Sequence, residues 1–437
     1  MPKKFIIEGG RYLKGEIRIR GAKNAVTKQM VASLLAPGKS VLQNVPEIGD
    51  VEITKQILSS IGCAVAHDME GGVLSVDASG LATHRVPEEY SGLNRIPILL
   101  VGVLLHRFGA AEIPMVGGDD IGPRPVDFHL EGLRSLGAEV RYEKGVFRFS
   151  AKRLTGARIT LPFPSVGATE NIMMAAATAK GTTEIKNAAI EPEIVDLALF
   201  LQSMGAIITQ ETDRTWVIQG VDQLHPAQHR VINDRIAAAS FAVSAIATGG
   251  DVTILGADQL HMLTFLNWLR KAGGEFETVE GGIRFAGVHS KLRPIAVETG
   301  VHPGLMTDWQ QPLVILLTQA HGMSVIHETV YENRFGYTET LNRMGAKIQL
   351  YNECLGGRDC RFRNLGHRHS AVIMGPTPLQ GASIEIPDLR AGFSYLVAAA
   401  LAKGKTVLSG VNYIERGYDR VVEKFQKLGL PISVVEE

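Results

Sequence analysis

The chain has 437 residues, 45% of them hydrophobic, which is long for one ordinary domain and gives a prior of two or three. Lys plus Arg and Asp plus Glu both total 45, so the net charge is zero and no global field steers the protein to nucleic acid or an acidic membrane. Three cysteines make no disulfide framework and fit a reducing compartment. Met1 to Lys14 carries no long apolar segment of the secretory kind, and the longest apolar run, Ile96 to Leu105, is about half of a bilayer helix. The expected class is a cytoplasmic α/β protein.

In chain order, Glu16 to Arg20 reads as a strand and Gly21-Ala22-Lys23-Asn24-Ala25 opens a helix after it. Lys23 at that turn offers a point charge to an anionic ligand beside helix-terminal N–H groups; a solvated first-turn lysine explains the segment equally well. Leu58 to Val65 (LSSIGCAV) is the first copy of a pattern that returns at Leu133 to Val140, Leu201 to Ile208, Leu269 to Phe276, Leu341 to Ile348 and, more degenerate, Phe425 to Ile432. Each copy is a helix end: apolar residues at helical spacing, a Gly suited to the left-handed C′ position, then a strand. Between copies, Ala- and Leu-rich helices stop at a Gly and run into short β-branched strands, as in AATAKGTTEIKNA and ALAKGKTVLSGV. Six units about 70 to 80 residues apart are too long for a solenoid. They predict two lobes of three α/β units, helix faces inside and strands outside, with a cleft between lobes. The crossover falls around Pro226 to Asp234, and a second crossing near Arg20 follows if the N-terminal strand joins the second lobe.

Val116 to Asp127 (VGGDDIGPRPVD) reads as a mobile lid, with a flexible acidic turn as the plain alternative. Asp119 and Asp120 lack metal-ligand spacing. Thr307-Asp308-Trp309-Gln310 leads into an apolar helix, and capping is the commonest job for such an Asp. Asp388-Leu389-Arg390-Ala391 and Glu415-Arg416-Gly417-Tyr418 each place an Arg at a strand-to-helix junction. Equivalent junctions of symmetric lobes bring Lys23, Arg124, Arg390 and Arg416 towards one small, multiply charged anion. Cys354, Cys360, His367 and His369 follow no common zinc spacing and read as a surface insertion, so no metal and no cofactor are expected. Walker A, G-x-G-x-x-G and G-x-S-x-G patterns are absent from the sequence.

Ordered motifs along essentially the whole chain resemble the UDP-N-acetylglucosamine enolpyruvyl transferase (1-carboxyvinyltransferase) family. They are GAKNA at Gly21, the loop from Gly117 to Asp127, Ser165 to Asn171, Glu191 to Asp196, Asp234-Arg235-Ile236, Glu328-Thr329-Val330 with Glu332-Asn333-Arg334, Asp388 to Ala391 and Arg416-Gly417-Tyr418. The resemblance implies an α/β (α+β) fold, a two-lobed inside-out α/β barrel with three βαβαββ-type repeats per lobe about a pseudo-threefold axis. Its lobes are 22–232, carrying the loop 116–127, and 1–21 plus 233–437, with the active site in the cleft between them.

The resemblance also implies the chemistry. The 3′-hydroxyl of UDP-N-acetylglucosamine adds to C2 of phosphoenolpyruvate as C3 is protonated, and phosphate then leaves, the first committed step of peptidoglycan synthesis. By motif, Lys23, Arg95 and Arg124 meet the phosphates, Arg390 and Arg416 hold the carboxylate, and Asn24 bonds the sugar. Asp308 takes the hydroxyl proton and later one from C3. Arg124, Pro125, Val126 and Asp127, with Ser165, Val166, Gly167 and Val330, line the UDP site. Asp119 stands where most members carry a loop Cys, as in a subset of the family. It is therefore the expected proton donor, and insensitivity to the thiol-alkylating antibiotic fosfomycin is expected with it. Phe163 replaces a Lys of some members, and Ala237 to Ser240 replaces a common Glu-x-Gly-Thr pattern. The partners implied are small-molecule substrates, with neither nucleic acid nor membrane. Competing readings are a transferase for another acceptor such as shikimate 3-phosphate, a silent UDP-sugar-binding paralogue, and a repeat-related RNA 3′-phosphate cyclase, which the zero charge opposes.

Overall fold

The computed structural model describes residues 3–118, 125–288, 291–357 and 360–436. The expectations for Asp119 and Arg124 therefore lie outside the described residues. The chain divides into two compact units, one made by the described residues of Met1–Arg20 and Asn233–Glu437, the other by those of Gly21–Gly118 and Arg124–Ile232.

Among the described residues each unit holds three small sheets, and one pattern recurs among them. In the four-stranded sheets a parallel pair leads and antiparallel pairs follow, as in Lys14–Arg18, Asp251–Leu255, Gly282–Ala286 and Glu275–Val279. The sheet of Ala110–Pro114, Val146–Ser150 and Glu139–Glu143 has three strands. A single parallel bridge between Arg85 and Glu112 stands where its fourth would be. The sheet of Ser383–Glu385 and Lys405–Ser409 is completed by the N-terminal strand Lys3–Glu8, which lies between Lys405–Ser409 and Ile432–Glu436. The N-terminal segment thus supplies a strand to the last repeat.

Inside each unit sit three helices. Lys23–Ala32, Ile96–Phe108 and Val166–Ala176 belong to one, and Arg235–Ala247, Gln310–Leu317 and Leu389–Leu401 to the other. All but Lys23–Ala32, which starts with Lys23 and Asn24 and keeps Lys28 only half-buried, are apolar on nearly every side, the mark of a helix enclosed by other elements; all residues of Arg235–Ala247 are buried. Small residues permit the close approach. A Cβ on Gly102 would meet the Cβ of Ala175 at 2.7 Å, so two central helices meet nearly backbone to backbone. Each unit has its own apolar core, one built around Phe241, Phe393 and Leu316, the other around Leu100, Met173 and Phe200. Burying one Leu or Phe fully contributes about 1.5–3 kcal/mol.

The six repeat glycines, Gly62, Gly137, Gly205, Gly273, Gly345 and Gly429, all have φ between 89° and 106°. An L side chain is strained in this left-handed region, so Gly closes each outer helix and turns the chain into an edge strand. The second motif position adds a tie in three copies, where the side-chain amides of Gln202, Asn342 and Gln426 donate to the carbonyls of Ile208, Ile348 and Ile432 at 2.7–2.8 Å. The strand expected at Glu16 to Arg20 is Lys14–Arg18, two residues upstream, because its register with Asp251–Leu255 ends at Arg18 and the Ile19 N–H makes the last bond, to the Leu255 carbonyl at 3.0 Å, before the connection to the helix.

Candidate active site

Asp308 lies in a single helical turn, Thr307–Trp309, ahead of the buried helix Gln310–Leu317. It is the N-cap of neither helix, since Met306 and Trp309 hold those positions. Asp308 Oδ1 instead accepts from Arg334 Nη2 at 2.6 Å, and Oδ2 lies 3.2 Å from Arg390 Nη2. Both arginine side chains are almost fully enclosed, at 1% and 5% exposure, while Asp308 keeps 20%. The carboxylate is thus the accessible member of a buried charge cluster. Charge-assisted bonds of this kind are stronger than neutral ones and fix orientation as well as charge.

Arg390 is set by its own helix start. Asp388 Oδ1 accepts from the N–H groups of Arg390 and Ala391 at 2.8 and 3.0 Å, an N-cap for Leu389–Leu401. Arg390 Nη1 donates to the Tyr418 hydroxyl at 2.9 Å. Burial opposes the guanidinium charge, but Tyr418, Asp308 and Asp234 outweigh it and raise its pKa. Arg334 is raised likewise, with Asp308 and Asp388 offsetting its burial.

Glu328 organises the neighbouring chain. Its Oε1 accepts from the N–H groups of Val330 and Tyr331 at 2.8 and 3.2 Å, and its Oε2 accepts from the Thr307 hydroxyl at 2.9 Å. Burial pushes this carboxyl pKa up, against Arg334 and these hydrogen bonds. Val330 and the turn that carries Asp308 are therefore tied through one side chain. Arg416, expected at a strand-to-helix junction, instead follows the short helix Asn412–Glu415 and is half-buried. The extra turn forms because Gly410 and Val411 leave the strand and start a helix before Arg416.

In the other unit, Lys23 is the first residue of helix Lys23–Ala32 and its Nζ lies 3.0 Å from Asp50 Oδ2. Asn24 is half-buried beside it, and its carbonyl accepts from Lys28 Nζ at 2.9 Å. Arg95 precedes the helix Ile96–Phe108 and donates to the Pro125 carbonyl at 3.4 Å. Val126 and Asp127 start the helix Asp127–Ser135. Ser165 caps Val166–Ala176 through the N–H of Ala168. A Cβ on Gly167 would stand 3.1 Å from the His129 ring, so a glycine lets that helix start meet the Asp127–Ser135 helix. Burial, aided by the Arg95 charge, drives the His129 pKa down to about 3, which leaves the ring neutral. Its Nδ1 accepts from Asn171 Nδ2 at 3.2 Å. Lys23 with Asn24, Arg95 with Pro125, and Asp127 with Ser165 to Gly167 thus occupy helix starts of one unit, while Asp308, Val330, Arg390 and Arg416 belong to the other.

The profile of the EPSP synthase (3-phosphoshikimate 1-carboxyvinyltransferase) family matches residues 7–425. A UDP-N-acetylglucosamine 1-carboxyvinyltransferase from Protochlamydia amoebophila (strain UWE25) is 51% identical over 437 residues, spanning 99% of this chain and 94% of that protein. The chain belongs to the UDP-N-acetylglucosamine 1-carboxyvinyltransferase family. It is an enzyme, a transferase. A relative of the same name from Chlamydia abortus (strain DSM 27085 / S26/3) is 47% identical over 430 residues, 98% of this chain and 97% of that protein. Among solved structures, the enolpyruvyl transferase NikO from Streptomyces tendae superposes with a TM-score of 0.88 at 23% identity, covering 99% of both chains. EPSP synthase from Acinetobacter baumannii gives 0.70 at 19% identity, over 100% of both chains. These two support the family's fold.

Three site features escape the sequence. Arg334 sits inside a family motif, but nothing in its spacing announces a bond to Asp308. Asp50, the partner of Lys23, looks like an ordinary acidic residue in a helix first turn. Cys354 to His369 does form an insertion between the strands Lys347–Tyr351 and Ser370–Gly375, with most of its described residues exposed, but the side-chain cluster within it is the third such feature. Cys360 and His369 are buried, and their sulfur and nitrogen atoms cluster with those of Cys354 and His327. His327 ends the strand Gly322–His327, far upstream in sequence, so no local spacing signals it. Among the described residues no helix is long and apolar enough to cross a membrane.

Proposed function

We propose that the protein transfers the enolpyruvyl group of phosphoenolpyruvate to the 3′-hydroxyl of UDP-N-acetylglucosamine, releasing phosphate, in the cytoplasm and at the entry to peptidoglycan synthesis. The observation that carries this reading is the clasp on Asp308. Its Oδ2 lies 3.2 Å from Arg390, the cation that the family motif gives to the substrate carboxylate. A carboxylate seated on Arg390 sets C2 and C3 of phosphoenolpyruvate a bond or two from Asp308. That is the reach a base needs to take the hydroxyl proton during addition and a C3 proton during elimination.

In this mechanism Lys23, Arg95 and Arg124 neutralise phosphate oxygens, and Arg390 with Arg416 fixes the carboxylate. Asn24 bonds the sugar, and Pro125, Val126, Asp127, Ser165, Val166, Gly167 and Val330 line the nucleotide site. Rate enhancement then comes from positioning and from cations aimed at a developing polyanion. Asp119 donates the proton that C3 receives. Its carboxyl serves only when protonated, which desolvation on closure favours by raising its pKa. With a carboxyl group in place of a thiol at this position, fosfomycin finds no thiolate to alkylate there.

Phosphate release from phosphoenolpyruvate tests the reading, with and without UDP-N-acetylglucosamine and after fosfomycin preincubation. Sugar-dependent release that survives the drug is expected. Absence of release from folded protein that still binds the UDP-sugar would replace the transferase with a silent binding protein.

A further inference from the structure

We infer that the Asp308-bearing unit contains a metal site, a Cys2His2 centre for Zn2+ built from His327, Cys354, Cys360 and His369. The donor atoms of these residues all lie within 4.8 Å of one another. Around a tetrahedral zinc, bonds of about 2.0–2.3 Å put neighbouring donors about 3.3–3.8 Å apart. Cys354 Sγ and His369 Nε2 already stand 3.3 Å apart.

The surroundings fit ligands better than a packed core. His327 is completely buried, and its Nε2 has no hydrogen-bond partner. Its Nδ1 faces Glu298 Oε2 at 3.2 Å. His369 has the matching arrangement, Nδ1 against the His367 carbonyl at 2.7 Å and Nε2 towards the cysteines. In each ring the outer nitrogen is engaged by an oxygen, which fixes the tautomer that leaves Nε2 as donor, as around protein-bound zinc. A buried ring nitrogen without a partner is costly in a dry interior, and a cation between the four residues removes that cost. The N–H of Phe362 points to Cys360 Sγ at 3.4 Å, a bond that stabilises a thiolate. Two thiolates and two neutral imidazoles favour zinc over the hard cations magnesium and calcium.

The chain around the cluster is shaped for it. A Cβ on Gly356 would lie 2.2 Å from His327 Nδ1, so only glycine lets this loop pass the ring. The Gly357 N–H donates to the other Glu298 oxygen at 2.8 Å, and the rings of His367 and His369 both meet the Phe362 ring edge-on at 5.8 Å. The cluster also reaches the site already described. The His369 carbonyl accepts from the N–H of Glu328 at 2.7 Å, and Arg361, next to Cys360, donates to the Val330 carbonyl. Zinc here braces the segment whose Glu328 holds Val330 and Thr307, and so positions Asp308 without touching substrate.

The full chain, purified under reducing conditions, is stripped with a chelator and titrated with Zn2+ against a chromophoric competitor, and separately with Co2+. We expect one equivalent bound with submicromolar Kd, and a cobalt complex with tetrahedral ligand-field bands and thiolate-to-metal charge transfer. Cys354→Ser should weaken the charge transfer, and Glu298→Gln should loosen zinc about 10–100-fold. Wild-type protein that binds no zinc tighter than micromolar, or gives an octahedral cobalt spectrum without charge transfer, overturns the site. So does unchanged zinc affinity in a folded Cys354→Ser/Cys360→Ser variant. Because the wild-type cobalt spectrum decides by itself, a variant that fails to fold leaves no gap. Loss of the site would leave the transferase reading standing, since phosphate release is measured independently.

Discussion

Arg334 donates to Asp308 at 2.6 Å from a side chain that is 1% exposed, whereas Asp308 itself is 20% exposed. The more accessible carboxylate is thus oriented by a cation that is itself almost fully enclosed. Arg334→Lys keeps the charge and loses the planar fork. It should lower kcat about 10–100-fold with a smaller change in KM for phosphoenolpyruvate, as expected when a group is misplaced rather than removed. Steady-state phosphate release measures this, and a kcat within about twofold of wild type would refute the orienting role.

Glu170 predicts a pH dependence of stability. It is buried, neither carboxyl oxygen has a hydrogen-bond partner, and Lys28 is 3.9 Å away. Burial raises its pKa from 4.5 to about 7, against Lys28, while Glu193 and Glu191 push it further up. The folded state therefore prefers the protonated form. Its contribution is fully present below pH 4.5 and lost as pH rises through about 7. Glu170→Gln cannot ionise, so the stability difference, variant minus wild type, should become more positive by about 1–3 kcal/mol between pH 5 and pH 8. Urea unfolding at both pH values checks this; a constant difference would mean Glu170 is not held protonated.

Two glycines serve unlike needs. Gly429 has φ +89° and open space where a Cβ would stand, so Gly429→Ala costs only backbone strain, about 1–2 kcal/mol. Gly429→Asn should recover much of that, since Asn tolerates the left-handed region. A Cβ on Gly102 would stand 2.9 Å from the Ala175 Cα, so Gly102→Ala forces two helices apart at about 1–3 kcal/mol and Gly102→Asn is worse still. Melting temperatures of the four variants separate strain from crowding by the opposite order of Ala and Asn.

On the proposed reading fosfomycin should spare the wild type and inactivate Asp119→Cys progressively, with the mass of one drug added at that residue. Cys63 does not compete, because burial raises its thiol pKa to about 12. Asp119→Asn keeps the shape without the titratable proton and should cut turnover about 100-fold or more. Unchanged turnover would remove Asp119 from the proton path.

The repeat is legible because its marker is local: one glycine that must be left-handed, flanked by apolar residues one turn back and a strand ahead. All six such glycines take that conformation. The family motifs likewise carry the transferase assignment, because each is a short continuous segment. Pairings that close through space are not legible. Lys23 with Asp50, Asp308 with Arg334, and His327 with Cys354 each join two segments whose separation follows from the fold and not from any spacing in the chain. The cluster within the insertion stays hidden for that reason, since one of its histidines ends a strand that precedes the cysteines.

The strand Lys3–Glu8 lies between Lys405–Ser409 and Ile432–Glu436. During synthesis, residues 21–232 have all left the ribosome before most of the other unit exists, so their unit can fold on the nascent chain. The N-terminal strand has no such option. With Phe5 and Ile7 destined for a core whose other wall is built from residues 405–436, it stays an unpaired apolar edge until those residues are made. This segment emerges long before its partner strands and finds its place only after them, and it is there that a nascent chain of this protein would call on a chaperone.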